Sequence, residues 1–291
     1  MKSQVSLSLW EHLVMPQPSL KDLLPPVVIR AYRNFRSSTR EYGSLSEAEQ
    51  ASRSTYDSDE IATVVVTKAK LNRSNTSQGQ SDLAAGEVVL FAALLGLLHH
   101  KPIRVLDFGG AAGGAHDRST AWFPEAIFDW RIVETASMAA LARPEARSEV
   151  TYFTQADDAV GAWEGPPHLI LLGSTLQYLE EPLATLQALA KLRAESIVLT
   201  RTPLADSDSS HFLVQSSRLS ENGPGEVPDG FVDKKVRYPV TFVPERHVFN
   251  LLQQNYRLDR YMVEEAHLRR LKGGVKVGQY SVLAHQPIGP Y

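Results

Sequence analysis

Short apolar runs alternate with helical spacing along most of this chain. From Asp82 onward, an apolar helical stretch, Leu83–His99, precedes the strand-like run Ile103–Phe108, and the alternation then repeats. Strands are expected at Asp129–Val133, Val150–Phe153, His168–Leu172 and Ser196–Thr200. Helices are expected after the glycine-rich stretch at 109–114 and over Ala156–Trp163 and Leu183–Leu192. Short strands joined through helices build a parallel sheet covered on its faces. The last quarter differs, with Val236–Phe242, a helix Pro244–Asn255, and two closely spaced strands, Tyr256–Val263 and Gln279–His285. So short a connection suits only an antiparallel hairpin at the sheet edge. The expected fold class is α/β, a Rossmann-like sheet that is mostly parallel with an antiparallel terminal strand.

Upstream the pattern changes twice. Residues 1–42 read as an N-terminal arm, rich in proline and closing on Arg30, Arg33, Arg36 and Arg40. Val27, Val28, Ala31, Tyr32 and Phe35 recur at helical spacing between the arginines, which suits either packing on the chain's own domain or peripheral contact with an anionic membrane surface. Residues 43–81 read as a helical cap and linker. Ser46 with Glu49 forms a capping-box pattern, Ser58 or Asp59 opens the next helix, and the polar stretch Asn72–Ser81 is loop-like. Residues 82–291 are the sheet domain.

Composition narrows the chemistry. The 291 residues contain no cysteine, which excludes disulfides, a thiolate nucleophile and Cys-ligated metals, and is compatible with a cytoplasmic protein. A net charge of −3 advertises no nucleic-acid partner. The longest apolar run, Val88–Leu98, is too short to span a bilayer and reads as a buried helix. No metal is expected: His99 and His100, adjacent on a helix, would point about 100° apart with no third ligand nearby in sequence.

The turn after Ile103–Phe108 carries the strongest signal. Asp107 ends an apolar strand, and Phe108, Gly109, Gly110, Ala111, Ala112, Gly113 and Gly114 follow. Small residues there let backbone N–H groups approach a ligand at the carboxyl end of a parallel strand. A dinucleotide fingerprint would need glycine where Ala111 stands. The spacing D-x-G-x-G-x-G, which marks S-adenosyl-L-methionine sites, is met at Asp107, Gly109 and Gly113, with Ala111 again replacing one glycine. Glu134, at the end of the next strand, is placed to accept hydrogen bonds from ribose hydroxyls. Gln155 and Asp157 after the third strand, and Gly173 and Ser174 after the fourth, are assigned to the same cofactor edge.

Several stretches then match one group in order: Tyr56-Asp57-Ser58-Asp59-Glu60-Ile61, Leu106-Asp107-Phe108-Gly109-Gly110, Trp130-Arg131-Ile132-Val133-Glu134, Leu176-Gln177-Tyr178-Leu179-Glu180-Glu181-Pro182, Thr200-Arg201-Thr202-Pro203, Val214-Gln215 and Tyr238-Pro239. Over residues 42–285 the chain resembles the class I S-adenosylmethionine-dependent methyltransferases of the LIC12133 type, often associated with polysaccharide gene clusters. The resemblance implies a Rossmann-like class I methyltransferase sheet under a helical N-terminal cap. It also implies a small-molecule or glycan-linked acceptor, methylated at oxygen or nitrogen. Where the group carries a further glycine, Ala111-Ala112 is expected to crowd the cofactor turn. Rival readings are a catalytically inactive adaptor that keeps the fold, and an NAD-dependent oxidoreductase.

For catalysis, the loops leaving the carboxyl edge offer Tyr178, Arg201 and His211, the last being the best proton acceptor by its ordinary pKa. The polar, glycine-bearing segment Asp206–Asp233 is expected to act as a lid.

Overall fold

A computed structural model describes residues 40–54, 56, 58–74, 83–223, 225, 227–228, 230–271 and 273–287. The basic arm and much of the polar linker lie outside the described residues. Strand β1 (Glu41–Tyr42) is followed by helices α1 (Leu45–Ser52), α2 (Asp59–Ser74) and α3 (Ala85–Leu97). The sheet domain proper runs β2 (Ile103–Phe108), α4 (Gly114–Trp122), β3 (Phe128–Val133), α5 (Ala136–Ala142), β4 (Val150–Phe153) and α6 (Ala156–Gly161). It continues with β5 (Leu169–Gly173), α7 (Pro182–Lys191), β6 (Ser196–Ala205), β7 (His211–Arg218), β8 (Lys235–Pro244), α8 (Glu245–Gln253), β9 (Arg257–Arg270) and β10 (Lys276–His285).

The strands form one sheet in the order β1-β7-β8-β6-β5-β2-β3-β4, and β10 pairs with both β6 and β9. The pairings β2–β3, β3–β4, β2–β5, β5–β6 and β6–β8 are parallel. The expected antiparallel terminal strand is present, with β10 lying between β6 and β9. Successive strands progress one way from β2 through β3 to β4 and the other way from β5 to β6, so the order reverses between β2 and β5. Such a switch point opens a crevice at the carboxyl ends of the strands.

Alternation along each strand divides the core. Leu169 and Leu171 pack with Ile61, Leu94 and Trp130 on one face. Ile170 and Leu172 pack with Leu186, Leu189 and Val248 on the other. Both faces of the central strands are thus covered, which is why these strands read as continuous apolar runs. The cap helices and the sheet belong to one compact unit. Among the described residues no helix is long and apolar enough to cross a membrane. The run read as a wholly buried helix, α3, is buried on one side only: Leu94 is fully buried while Leu95 is 60% exposed.

Three other expectations change. Glu41 and Tyr42, assigned to the arm, pair with Leu213 and Phe212 as β1. The helix cap lies two residues earlier than expected: the N-cap Ser44 hydroxyl accepts from Glu47 N–H at 3.2 Å, and the Glu47 carboxylate accepts from the N–H of Gly43, just before the cap, at 2.9 Å. The segment expected as a lid contains β7, paired along its whole length with β8. Beyond β7, the buried Lys68 ammonium donates to the carbonyls of Ser220, Asn222 and Gly223 at 2.9, 3.1 and 2.7 Å. A cation satisfied by three carbonyls pins that stretch to α2.

Candidate functional site

Strand β2 delivers its carboxyl end to the switch point, and the chain then turns through residues with φ of +74° at Gly109, +48° at Ala111 and +80° at Gly113. These are the three glycine positions of the D-x-G-x-G-x-G spacing, so the spacing encodes an alternating left-handed backbone. Ala111 adopts that conformation at a cost of about 1–2 kcal/mol. Its burden is therefore conformational. Hydrogen bonds hold it in place: Ala111 N–H donates to Glu134 Oε1 at 2.8 Å, and the Tyr152 hydroxyl donates to the Ala111 carbonyl at 3.0 Å.

The neighbouring glycines are small for a different reason from the one expected. A Cβ on Gly109 would stand 2.3 Å from Thr175 Oγ1, and one on Gly110 would stand 2.4 Å from the Asp107 carboxyl carbon. The protein's own side chains fill the space that a Cβ at either position would need. Asp107 is 1% exposed and accepts a hydrogen bond from the Trp130 indole at 3.0 Å. Burial pushes its carboxyl up to about 7 against that hydrogen bond. Asp107 thus braces the turn from beneath Gly110. Arg73 of α2 secures the far end of the turn, donating to Asp117 Oδ2 at 2.6 Å, to the Glu145 carbonyl at 2.7 Å and to the Ala112 carbonyl.

Around this turn the carboxyl edge assembles. Gly109 N–H donates to the Val133 carbonyl at 2.8 Å, and the second Glu134 oxygen accepts from Thr135 N–H at 2.9 Å. Gly173 ends β5 and Ser174 follows in a left-handed conformation, φ +59°, its hydroxyl accepting from Gln177 Nε2 at 2.9 Å. Phe108 packs inward, against the core cluster that holds Leu106 and Val133. Gln155 and Asp157 stand exposed at the start of α6, on the rim beyond β4.

Arg201 owes its position to a bulge. Strand β10 advances from Tyr280 to Val282 while β6 runs from Thr202 back to Leu199, so β6 carries an extra residue there. Arg201 has φ +50° and is exposed. A bulge redirects a side chain without ending the strand.

The cap contributes Tyr56, whose ring stacks on Tyr178 at 4.0 Å between centroids, with Tyr238 edge-on to both at 5.0 and 5.7 Å. Burial pushes the Tyr56 phenol up to about 12, with Tyr238 and Glu134 adding to the rise and Arg201 opposing it. Tyr178 is raised well above its ordinary value, first by burial and then by the two neighbouring tyrosines.

His211 does not join this group. It begins β7 opposite Phe242, whose neighbour Val243 pairs with Leu204, whereas the carboxyl end of β5 meets β6 at Thr200. Four residues of strand separate those levels, roughly 13 Å. Both ring nitrogens of His211 are occupied, Nδ1 by the Glu41 carboxylate and Nε2 by the Ser207 hydroxyl at 3.0 Å. Tyr178 and Arg201 do reach the edge.

Sequence reasoning gave no site role to Tyr56, Arg73, Trp130, Tyr152 or Thr175. Tyr56 and Trp130 stand within the stretches that carried the family resemblance. Arg73, Tyr152 and Thr175 reach the turn from distant positions and carry no local signal.

No protein-family model matches the chain. No curated protein matches it. Among solved structures, it is similar to an S-adenosylmethionine-dependent methyltransferase from Clostridium acetobutylicum, with 12% identity over 75% of this chain and 96% of that one and a TM-score of 0.44. The CcbJ methyltransferase from Streptomyces caelestis gives 12% identity over 72% and 93%, with a TM-score of 0.43. The sugar N-methyltransferase KedS8 from Streptoalloteichus gives 13% over 72% and 92%, with a TM-score of 0.39. The likeness is loose at these scores, and the geometry of the turn itself decides what it can bind.

Proposed function

We propose that this chain is a class I S-adenosylmethionine-dependent methyltransferase acting on a small-molecule or saccharide acceptor. The observation that carries the proposal is the alternating left-handed turn at the switch point, joined to Glu134 through Ala111 N–H at 2.8 Å. A compact backbone turn of small residues beside a carboxylate at the end of the adjacent strand suits a ligand carrying ribose hydroxyls. The polysaccharide association of the group that the sequence resembles favours a saccharide acceptor.

When bound, the cofactor supplies an electrophilic methyl group. The chain supplies position. Glu134 accepts from hydroxyls, the Thr175 and Asp107 side chains keep the turn rigid, and the Tyr56–Tyr178 stack forms an apolar wall beside the edge. Arg201, exposed on its bulge, faces an acceptor with a cation and favours one carrying a carboxylate or phosphate. Orientation at near-attack distance provides much of the rate in such a transfer. Tyr56 and Tyr178 keep their protons at neutral pH, so neither acts as a base there. That suits an acceptor that needs none, such as a neutral amine.

Calorimetric titration of the full chain with S-adenosylmethionine tests the reading. Binding is expected, weakened about tenfold or more by Glu134→Ala, since each hydrogen bond to a charged group contributes about 1.5–3 kcal/mol. Equal affinity in the variant would remove Glu134 from the site. Binding of reduced nicotinamide cofactor in place of S-adenosylmethionine would overturn the assignment. Transfer of labelled methyl to amino sugars, set against their hydroxyl counterparts, reports the acceptor atom.

A further inference from the structure

At the opposite end of the sheet from the turn, metal-type ligands converge. Among the described residues, one ring nitrogen each from His99 and His100 and a carboxylate oxygen of Glu195 all lie within 4.8 Å of one another. The sequence argument against a metal assumed that both histidines sit on a helix. Helix α3 ends at Leu97, so they follow it in a turn, with ring centroids 3.9 Å apart. The third ligand comes from Glu195, just before β6 and far away in sequence.

Three details distinguish this cluster from an ordinary ion pair. His100 Nε2 is a buried atom 2.8 Å from Glu195 Oε1, yet it makes no hydrogen bond. The contact is close but not aligned as a hydrogen bond, so the nitrogen's bonding direction is left for another partner. His99 Nδ1 lies 3.1 Å from the Gly96 carbonyl, a contact that places the proton on Nδ1 and leaves the Nε2 lone pair outward. Metal-binding histidines usually have their second nitrogen held in this way. His100 is also stacked on His168 at 3.7 Å and 7°, and His168 is itself fixed by Arg104 N–H donating to its Nδ1 at 3.0 Å.

We infer that His99, His100 and Glu195 form a binding site for a divalent transition ion, Zn²⁺ being the best match to two imidazoles and a carboxylate. Zinc bonds of about 2.0–2.2 Å place tetrahedral ligands about 3.3 Å apart, so the wider contacts of the cluster would close and the 2.8 Å His100–Glu195 contact would open by about half an ångström. The fourth position is left to water. Helix α3 meets β6 near both its ends: a Cβ on Gly86 would touch Thr200 at 2.9 Å, and His100 lies beside Glu195, next to Ser196. A metal there clamps the second end, so its role is to stabilise the fold.

The test uses the full chain, stripped with chelator and dialysed, then titrated with Zn²⁺ in a calorimeter and with Co²⁺ by visible absorption. One ion per chain is expected, with Co²⁺ bands of a tetrahedral or five-coordinate site and a thermal midpoint raised by Zn²⁺. His100→Ala and Glu195→Gln should each weaken binding by more than about tenfold and abolish the thermal shift, while His247→Ala, on α8 and outside the cluster, leaves both unchanged. Glu195→Gln keeps the shape of a partly exposed side chain, so it remains informative if His100→Ala fails to fold. The inference is overturned by the absence of saturable binding, or by binding and thermal shift in Glu195→Gln equal to those of the parent chain. None of these readouts depends on methyl transfer.

Discussion

The two halves of the carboxyl edge are built in opposite ways. On the β2–β4 side, the turn's backbone is a local device: five consecutive residues, three of them with left-handed backbone, braced by Asp107 from the same strand and then by Thr175, Tyr152 and Arg73 from further away. On the β6–β8 side, nothing is local. Arg201 depends on a bulge against β10, Tyr56 comes from the cap, and Tyr238 from a strand sixty residues further on than Tyr178. Under the proposed function, the contrast fits a division of labour in which one side holds a constant ligand and the other is free to vary with the acceptor.

The comparison is tested first on the local side. Burial lets Asp107 hold its proton in the folded chain up to about pH 7, whereas the unfolded chain releases it near the ordinary carboxylate value of about 4. The folded state therefore binds more protons between those values, and stability falls as pH rises from about 4 to about 7, then levels off. Asp107→Asn should flatten that slope by an amount on the order of a few kcal/mol. Denaturant midpoints across the range read it, and an unchanged slope would mean that Asp107 is ionised in the fold.

Gly109→Ala follows in size. It combines a left-handed Cβ with a collision against Thr175, and should cost about 2–4 kcal/mol. Adding Thr175→Gly should recover the collision part and leave the backbone part. If the double variant is no more stable than the single one, Thr175 is not what occupies that space.

On the distributed side, Lys68→Met leaves three carbonyls without their donor and should cost about 1–3 kcal/mol. Hydrogen exchange should then quicken at 219–223 while protection at the β2 turn stays constant. Loss of protection at both would mean that the halves are not independent.

Ala111→Gly is the smallest effect. Relief of the left-handed strain is partly offset by the entropy glycine adds to the unfolded chain, leaving a gain of about 0.5–1 kcal/mol. A loss of stability would show that the Ala111 methyl packs usefully.

The same contrast explains what could be read in advance. Ile103–Phe108 and Val150–Phe153 match their expected bounds because buried apolar runs end abruptly in turn residues or polar ones. Strand β6 was expected to stop at Thr200. It runs on to Ala205 because the bulge absorbs Arg201, and Pro203 sits opposite Gln279 without breaking the pairing. Strand β7 was hidden inside a polar, glycine-bearing stretch, where Phe212, Leu213 and Val214 make too short an apolar signal to outweigh their surroundings. Of the candidate site, Glu134 was legible from strand position. Thr175 and Tyr152 were not, because they reach the turn across the fold. His211 was chosen on intrinsic pKa, a property that says nothing about where a residue sits.

Strand β6 also acts as a ruler. Its first half is paired with β5 beside the turn and its end with β8, so the separation between the two sides of the carboxyl edge is counted in residues along a single pleated segment. Deleting one residue from it would slide one half by about 3.3 Å and turn every later side chain to the opposite face. On the proposed function, acceptor range should thus change through substitutions at Arg201 and around the tyrosines, and hardly ever through changes in the length of β6.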